Sequence, residues 1–128
     1  MHTIAHNPTH GVYAPTDDYV HALEVRHPHR LLFVAGTVGL DPAGAAPATL
    51  EAQLEQLWDN IRTILTSAGM TVDNIVRVTS YLRDVADAEA NGAARVAALG
   101  GRVVPTTAIV VQTLSDSWLV EVEVIAAA

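Results

Sequence analysis

The chain has 128 residues, no cysteine and a formal net charge of −7. Without cysteine it offers no disulfide framework, no thiolate metal site and no cysteine nucleophile. The charge argues against nucleic acid as a partner, because binding the phosphate backbone needs clustered cations, and the seven basic residues are scattered. No apolar stretch approaches the roughly 20 residues of a membrane span. We therefore expect a single domain over residues 1–128, located in the cytoplasm and not in a membrane.

The first third of the chain predicts three short strands. Residues 2–6 predict an edge strand, residues 7–18 carry turn formers throughout, and residues 19–26 alternate moderately between polar and apolar. Residues 27–30 predict a turn into an apolar strand over 31–35. Two strands joined by a short turn are expected to form a hairpin.

The clearest element is a helix over residues 49–68, with Thr49 as its N-cap and Gly69 just after its end. Its apolar residues recur every three or four positions and form one stripe, made of Leu50, Leu54, Leu57, Ile61, Ile64 and Leu65. A strand over 75–82, an alanine-rich helix within 86–99 and strands over 105–112 and 119–126 follow. Long helical crossovers between strands predict an α+β fold, with one mixed sheet and both helices on one of its faces.

The last strand has two unlike sides. One side carries only valines (Val120, Val122, Val124), and the other carries Leu119, Glu121, Glu123 and Ile125. The valine side is the natural seat for the helices. In the simplest interpretation both glutamates are solvated on an open face. In the alternative, a second subunit covers part of that face and leaves one carboxylate in a cleft, where it can position or activate water. A chain that is 50% hydrophobic and only 16% charged is suited to burying surface between subunits.

Other polar groups suggest no reaction by themselves. All the histidines fall within the first 29 residues: His2, His6, His10, His21, His27 and His29. They lack a recognisable metal-ligand spacing, so we predict no metal site. Ser115–Ser117 is a turn signal and does not make a Ser-His-Asp arrangement specific.

Short motifs along nearly the whole chain resemble the RidA/YjgF family of reactive-intermediate deaminases. In chain order they are Gly11-Val12-Tyr13, residues 32–36, Leu40-Asp41-Pro42, Gln56, Asn60-Ile61, residues 78–84, Asn91, Pro105-Thr106-Thr107 and residues 120–126. The resemblance implies a chorismate-mutase-like α+β domain that forms a homotrimer with clefts between subunits. Members of the best-known type hydrolyse small imines and enamines to a 2-keto acid and ammonia, without a metal or an organic cofactor.

The resemblance also implies roles for particular residues. Glu123 corresponds to the glutamate that positions the attacking water, and Tyr13 to a tyrosine that lines the cleft. Gly36 and Asn91 match a strand-end glycine and an asparagine at the second helix, which we count among the substrate-binding positions. Thr107 occupies the position of an arginine that binds the substrate carboxylate through two hydrogen bonds.

Thr107 departs from the family pattern at this position, and the change has chemical consequences. A hydroxyl makes one neutral hydrogen bond and cannot clamp a carboxylate, so about 2–4 kcal/mol of substrate binding is lost, or roughly thirty- to a thousandfold. Ala35 and Thr37 replace a serine and a glutamine that are common in the family. Arg102 is expected to face solvent and not to replace the missing arginine.

Three functions are compatible with these residues. The first is hydrolysis of an imine or enamine that lacks a free carboxylate, with Glu123 activating water and Tyr13 and Thr107 orienting the substrate. The second is cyclisation, isomerisation or dehydration in a specialised pathway by the same carboxylate. The third is a non-catalytic, ligand-binding trimer. Glu123 and Tyr13 are both present, so the first ranks ahead of the others.

Overall fold

The structure is a computed structural model that describes residues 1–128. The strands are β1 (His2–His6), β2 (Ala22–Arg26), β3 (Leu31–Val38), β4 (Ile75–Leu82), β5 (Thr106–Val110) and β6 (Val120–Ala127). The helices are α1 (Leu50–Ser67) and α2 (Ala88–Ala98), each close to its predicted limits. Short 3₁₀ turns, Val72–Asn74 and Val85–Asp87, precede β4 and α2.

The main sheet has four strands in the order β3-β6-β4-β5. Strands β4 and β5 run parallel and are connected through α2, whereas β6 is antiparallel to both of its neighbours. The first two strands form a separate antiparallel pair. The predicted α+β class and mixed sheet are therefore confirmed, although the sheet does not include all six strands.

The predicted hairpin between residues 19–26 and 31–35 is wrong. Strand β2 pairs with β1, and β3 pairs with β6. The turn between β2 and β3 passes through the left-handed region at His27, where φ is 53°. The backbone N–H groups of His29 and Arg30 then donate to the carbonyl of Ala128 at 2.7 and 2.9 Å. These bonds lead β3 along the long central strand β6, which offers more hydrogen bonds and more apolar surface than β2 does.

One face of the sheet packs against the helices and forms the core. On β6, Val120 and Val122 are fully buried and Val124 nearly so. The apolar stripe of α1 covers them, and its Leu57, Ile61 and Leu65 expose none of their surface; Trp58, off that stripe, is also buried. The Thr49 hydroxyl accepts from the Ala52 N–H at 3.2 Å and caps α1 as predicted. Gly69, with φ of 69°, follows its last turn.

A buried amide fixes where β6 begins. Gln53 of α1 is 1% exposed, and its Nε2 donates to the carbonyls of Pro47 and Ser117, each at 2.8 Å. Its Oε1 accepts from the Leu119 N–H at 2.9 Å. A buried side chain with all of these bonds satisfied is costly to displace. The first turns of α1 therefore hold the start of the central strand.

The N-terminal loop is attached to α2 by an ion pair. Nη2 of the buried Arg95 lies 2.6 Å from the Asp18 carboxylate, and its Nη1 donates to the Asp18 carbonyl at 2.7 Å. Hydrogen bonds from Thr16 and from Arg95 hold the pKa of Asp18 below its ordinary value. Neither helix combines the length and the hydropathy that a membrane crossing requires.

Replacement of Gly39 tests the close approach between the end of β3 and α1. A Cβ at Gly39 would lie 2.1 Å from the Gln53 carbonyl oxygen, which is backbone and cannot move aside without shifting the helix. Gly39→Ala is expected to lower the free energy of unfolding by about 3 kcal/mol. Urea denaturation followed by circular dichroism measures this change.

Gly92 provides the matched control. It lies inside α2, and a Cβ there meets nothing within 4 Å. Gly92→Ala is expected to raise the free energy of unfolding by about 0.5–1 kcal/mol, because alanine favours the helix. Equal midpoints for Gly39→Ala and the unmodified chain would contradict the proposed clash.

Candidate functional site

The face of the sheet opposite the helices, which we call the open face, carries polar side chains from three adjacent strands. Glu123 of β6 pairs with Thr79 of β4, and Thr79 pairs in turn with Thr107 of β5. One row further along, Glu121 pairs with Tyr81. Side chains two residues apart on a strand share a face, so the register brings these groups together.

A small cavity lies on the open face beside Glu123. Its volume is about 200 Å³, and it is lined by Phe33, Val34, Arg77, Thr79, Glu123, Val124 and Ile125. A larger groove of about 480 Å³ runs between α1 and α2, but most of its lining is apolar and much of it is alanine. We take the smaller cavity as the candidate site because it combines a carboxylate, a hydroxyl and a guanidinium.

Tyr81 holds the carboxylate of Glu123. The Tyr81 hydroxyl donates to Oε1 of Glu123 at 2.5 Å. This hydrogen bond, with a smaller contribution from desolvation, raises the pKa of Tyr81. Oε2 of Glu123 makes no hydrogen bond within the chain, so it is available to accept from a water or a ligand. The arrangement orients a charged acceptor towards the cavity.

Arg77 supplies the positive charge of the cavity. Its Nη2 donates to the Thr107 hydroxyl at 2.8 Å, across the β4–β5 pair. Neither Arg77 nor Tyr81 is among the site residues that the sequence predicts. Strand alternation could have found both, because Arg77, Thr79 and Tyr81 occupy alternate positions of β4.

Of the predicted site residues only Glu123 lines this cavity, and Thr107 reaches it only through its hydrogen bond with Arg77. Gly36 lies beside Glu121, where a Cβ would come within 2.9 Å of the carboxylate. Tyr13 is 75% exposed, and its ring packs edge-on against His21 with centroids 5.0 Å apart. Asn91 is buried in α2, and its Oδ1 has no hydrogen-bond partner. None of these three lines the cavity beside Glu123.

Arg102 and the histidines also lie outside the cavity. Arg102 is partly buried and donates to the carbonyls of Val72 and Ile75 at 3.0 and 3.2 Å, so the expectation that it faces solvent is wrong. His6 contacts Glu24 at 2.8 Å, and His21 contacts the Tyr13 carbonyl at 2.7 Å. No three His, Asp or Glu side chains are grouped closely enough to hold a metal ion.

Titration of the three tyrosines tests the contact between Tyr81 and Glu123. Because the hydrogen bond stabilises the neutral phenol, one tyrosine should ionise above the ordinary value of 10.0. Glu123→Gln removes the charge and should return that pKa towards the ordinary value, while Tyr81→Phe should remove this titration altogether. Tyrosinate absorbance measured against pH reports all of these changes. Glu24→Gln, at a distant surface ion pair, is the control, and a titration unchanged by Glu123→Gln would contradict the contact.

Comparison with known proteins shows the family. The profile of the family described as endoribonuclease L-PSP matches residues 11–128. A RutC family protein of Pyrococcus horikoshii is 28% identical over 120 residues, which cover 92% of this chain and 93% of that protein. The 2-iminobutanoate/2-iminopropanoate deaminase of Escherichia coli is 29% identical over 80 residues, 62% of this chain and 60% of that enzyme.

Solved structures agree with this assignment. The Rid family protein YyfB of Yersinia pestis, whose function is unknown, superposes with a TM-score of 0.85 at 28% identity, over 100% of both chains. RidA of an Antarctic Psychrobacter superposes with a TM-score of 0.74 at 27% identity, over 90% of this chain and 92% of that one. The YjgF-type fold expected from the motifs is therefore confirmed. The chain belongs to the endoribonuclease L-PSP family, the RidA/YjgF family that its motifs resemble.

Proposed function

We propose that this protein is a RidA-like hydrolase that converts a small imine or enamine into a carbonyl compound and ammonia. The observation that carries the proposal is the carboxylate of Glu123, which lies at the wall of a small cavity with one oxygen held by Tyr81 and the other free. The similarity to an imine deaminase of Escherichia coli supports the same class of reaction.

The proposed reaction needs a positioned water and a route for one proton. Oε2 of Glu123 accepts a hydrogen bond from water and takes a proton as the water oxygen attacks the iminium carbon. Glu123 gives this proton to the nitrogen of the resulting carbinolamine, and the C–N bond then breaks to release ammonia. The carbonyl forms as the carbinolamine hydroxyl loses its proton to Glu123, which passes it to solvent and is restored as the carboxylate. No redox partner or cofactor takes part in this sequence.

Tyr81 has a positioning role in this scheme. Its hydrogen bond occupies Oε1 and restricts the rotation of the Glu123 carboxylate, so the water-binding oxygen keeps one direction. Phe33 and Ile125 line the same cavity, so part of its wall is apolar. A carboxylate next to apolar side chains is a stronger hydrogen-bond acceptor than one in water.

The other candidate functions make different predictions. Cyclisation, isomerisation or dehydration at the same carboxylate would release no ammonia, and a ligand-binding trimer would turn nothing over. The cleavage of RNA, which the family description names, is disfavoured by the net charge of −7 and by two glutamates on the open face.

Glu123→Gln tests the proposed hydrolysis. Removal of the general base is expected to lower kcat at least about 100-fold. The assay follows the release of ammonia from small imines generated in situ, both with and without a carboxylate next to the imine carbon. Glu121→Gln, two residues away on the same face, is the matched control and should cause a much smaller loss. An active Glu123→Gln variant would show that another group activates the water.

We further propose that the protein acts in the cytoplasm as a homotrimer whose subunits cover the open face. Phe33 is 71% exposed on that face, and Ile109, on the same face beside Tyr81, is 46% exposed. Leu114, in the loop after β5, is 94% exposed. A contiguous exposed apolar patch commonly marks an interface, and we infer that these side chains are covered by neighbouring subunits. A neighbouring subunit would also deepen the cavity, which one chain only partly encloses.

Light scattering tests the assembly. The trimer predicts a mass of about three times the 13.6 kDa of one chain. Phe33→Asp should shift the protein to the monomer, because the charge would be buried without a partner. Val85→Asp is the matched control: Val85 is also 71% exposed, but it lies in the 3₁₀ turn before α2, and its replacement should leave the trimer intact. A monomeric unmodified chain would contradict the proposal.

A further inference from the structure

The groove between the two helices lies on the opposite side of the sheet from the open face. Its volume is about 480 Å³, which is the size of a small-molecule pocket. Helix α2 lines it with alanines only: Ala90, Ala93, Ala94, Ala97 and Ala98. An alanine side chain ends at Cβ, so α2 leaves the space between the helices unfilled. The proposed trimer covers the open face, so this groove stays accessible in the assembly.

Helix α1 supplies the charges of the groove. Glu51 and Glu55 lie one helical turn apart, and neither forms an ion pair within the chain. Like charges at this spacing destabilise a helix slightly. Arg62, the only cation of the groove, is held by Asp59 at 2.9 Å. One end of the groove therefore carries two carboxylates whose charge the chain does not compensate.

Trp58 supplies a hydrogen-bond donor. It lines the groove one turn after Glu55 and is only 3% exposed. Its indole N–H is buried and has no hydrogen-bond partner in the chain. Buried indole N–H groups usually have such a partner, and leaving one unpaired costs free energy. The acceptor therefore has to come from outside the chain.

We propose that this groove binds a small apolar amine that carries a hydrogen-bond acceptor in its body. The ammonium group lies between Glu51 and Glu55, where both carboxylates attract it. The apolar body lies along Leu54 and the alanines of α2, and a slight turn of the Trp58 ring brings its N–H to the acceptor. This site is separate from the cavity beside Glu123, and the inference does not depend on the proposed hydrolysis.

The lining of the groove favours a small molecule over a segment of another protein. Protein interfaces are centred on large side chains such as tryptophan, tyrosine and arginine. Here α2 offers only alanines, and the one tryptophan of the groove is almost fully buried. A helical peptide that carries lysine is the alternative occupant, and the experiment includes it.

Three small probes test the charge and the acceptor. They are 4-phenylbutylamine, its neutral counterpart 4-phenylbutan-1-ol, and 3-phenoxypropylamine, in which an ether oxygen replaces one methylene. Titration calorimetry of the full chain at low ionic strength should show 4-phenylbutylamine binding about three- to twentyfold more tightly than the alcohol. The ether amine should bind about two- to fivefold more tightly than 4-phenylbutylamine. Equal affinities for the amine and the alcohol would overturn the inference.

Charge variants locate the ammonium group. Glu55→Gln should weaken the binding of both amines by about two- to fivefold and leave the alcohol unaffected. Glu89→Gln is the matched control, because it removes the same charge from an exposed position of α2 that does not line the groove. Trp58→Phe removes the N–H, so it should abolish the advantage of the ether amine and keep the preference for amine over alcohol.

Filling the groove separates this site from any other. Ala93→Leu, at an exposed alanine of the lining, should weaken all three probes at least about tenfold, whereas Ala88→Leu, exposed on α2 but outside the lining, should not. Circular dichroism confirms that each variant is folded. Probe affinities that neither Ala93→Leu nor Glu55→Gln changes would show that the amine binds elsewhere. A lysine-bearing peptide that displaces the amines and binds more tightly than they do would overturn the assignment to a small molecule.

Discussion

The structure depends on the central strand β6, along which buried valines alternate with Glu121, Glu123 and Ile125. Val120, Val122 and Val124 are buried against α1 and the rest of the core. Burying three valines stabilises the sheet by several kcal/mol, at roughly 1.5–3 kcal/mol for each side chain. Because side chains alternate, the register that buries the valines also directs Glu121 and Glu123 to the open face. Core packing therefore determines the orientation of the proposed catalytic carboxylate.

The groups around that carboxylate are arranged by strand pairing. Tyr81 and Arg77 reach the open face because β4 is paired with β6 in one register, and Thr107 meets Arg77 because β5 is paired with β4. Each contact links two strands that are distant in sequence. The result is a small polar group beside apolar side chains such as Phe33 and Ile125. This combination suits a small ligand with one charged end.

The contact between Arg77 and Thr107 places a cation next to the position where the family carries an arginine. Position 107 by itself indicates the loss of a cation. The neighbouring strand, however, carries an arginine whose only side-chain hydrogen bond within the chain is to that same threonine. What a site can bind depends on the groups present in space, whichever strand supplies them.

The sequence by itself determined α1, β4, β6, the buried valine face and the face on which Glu123 lies, because helix and strand periodicities are local properties of the chain. It predicted α2 and β5 with looser limits. Only the tertiary structure decided that β2 pairs with β1, that Tyr81 holds Glu123 and that Thr107 restrains Arg77. Strand order and register arise from the competition among all strands for partners, and no single segment encodes the outcome.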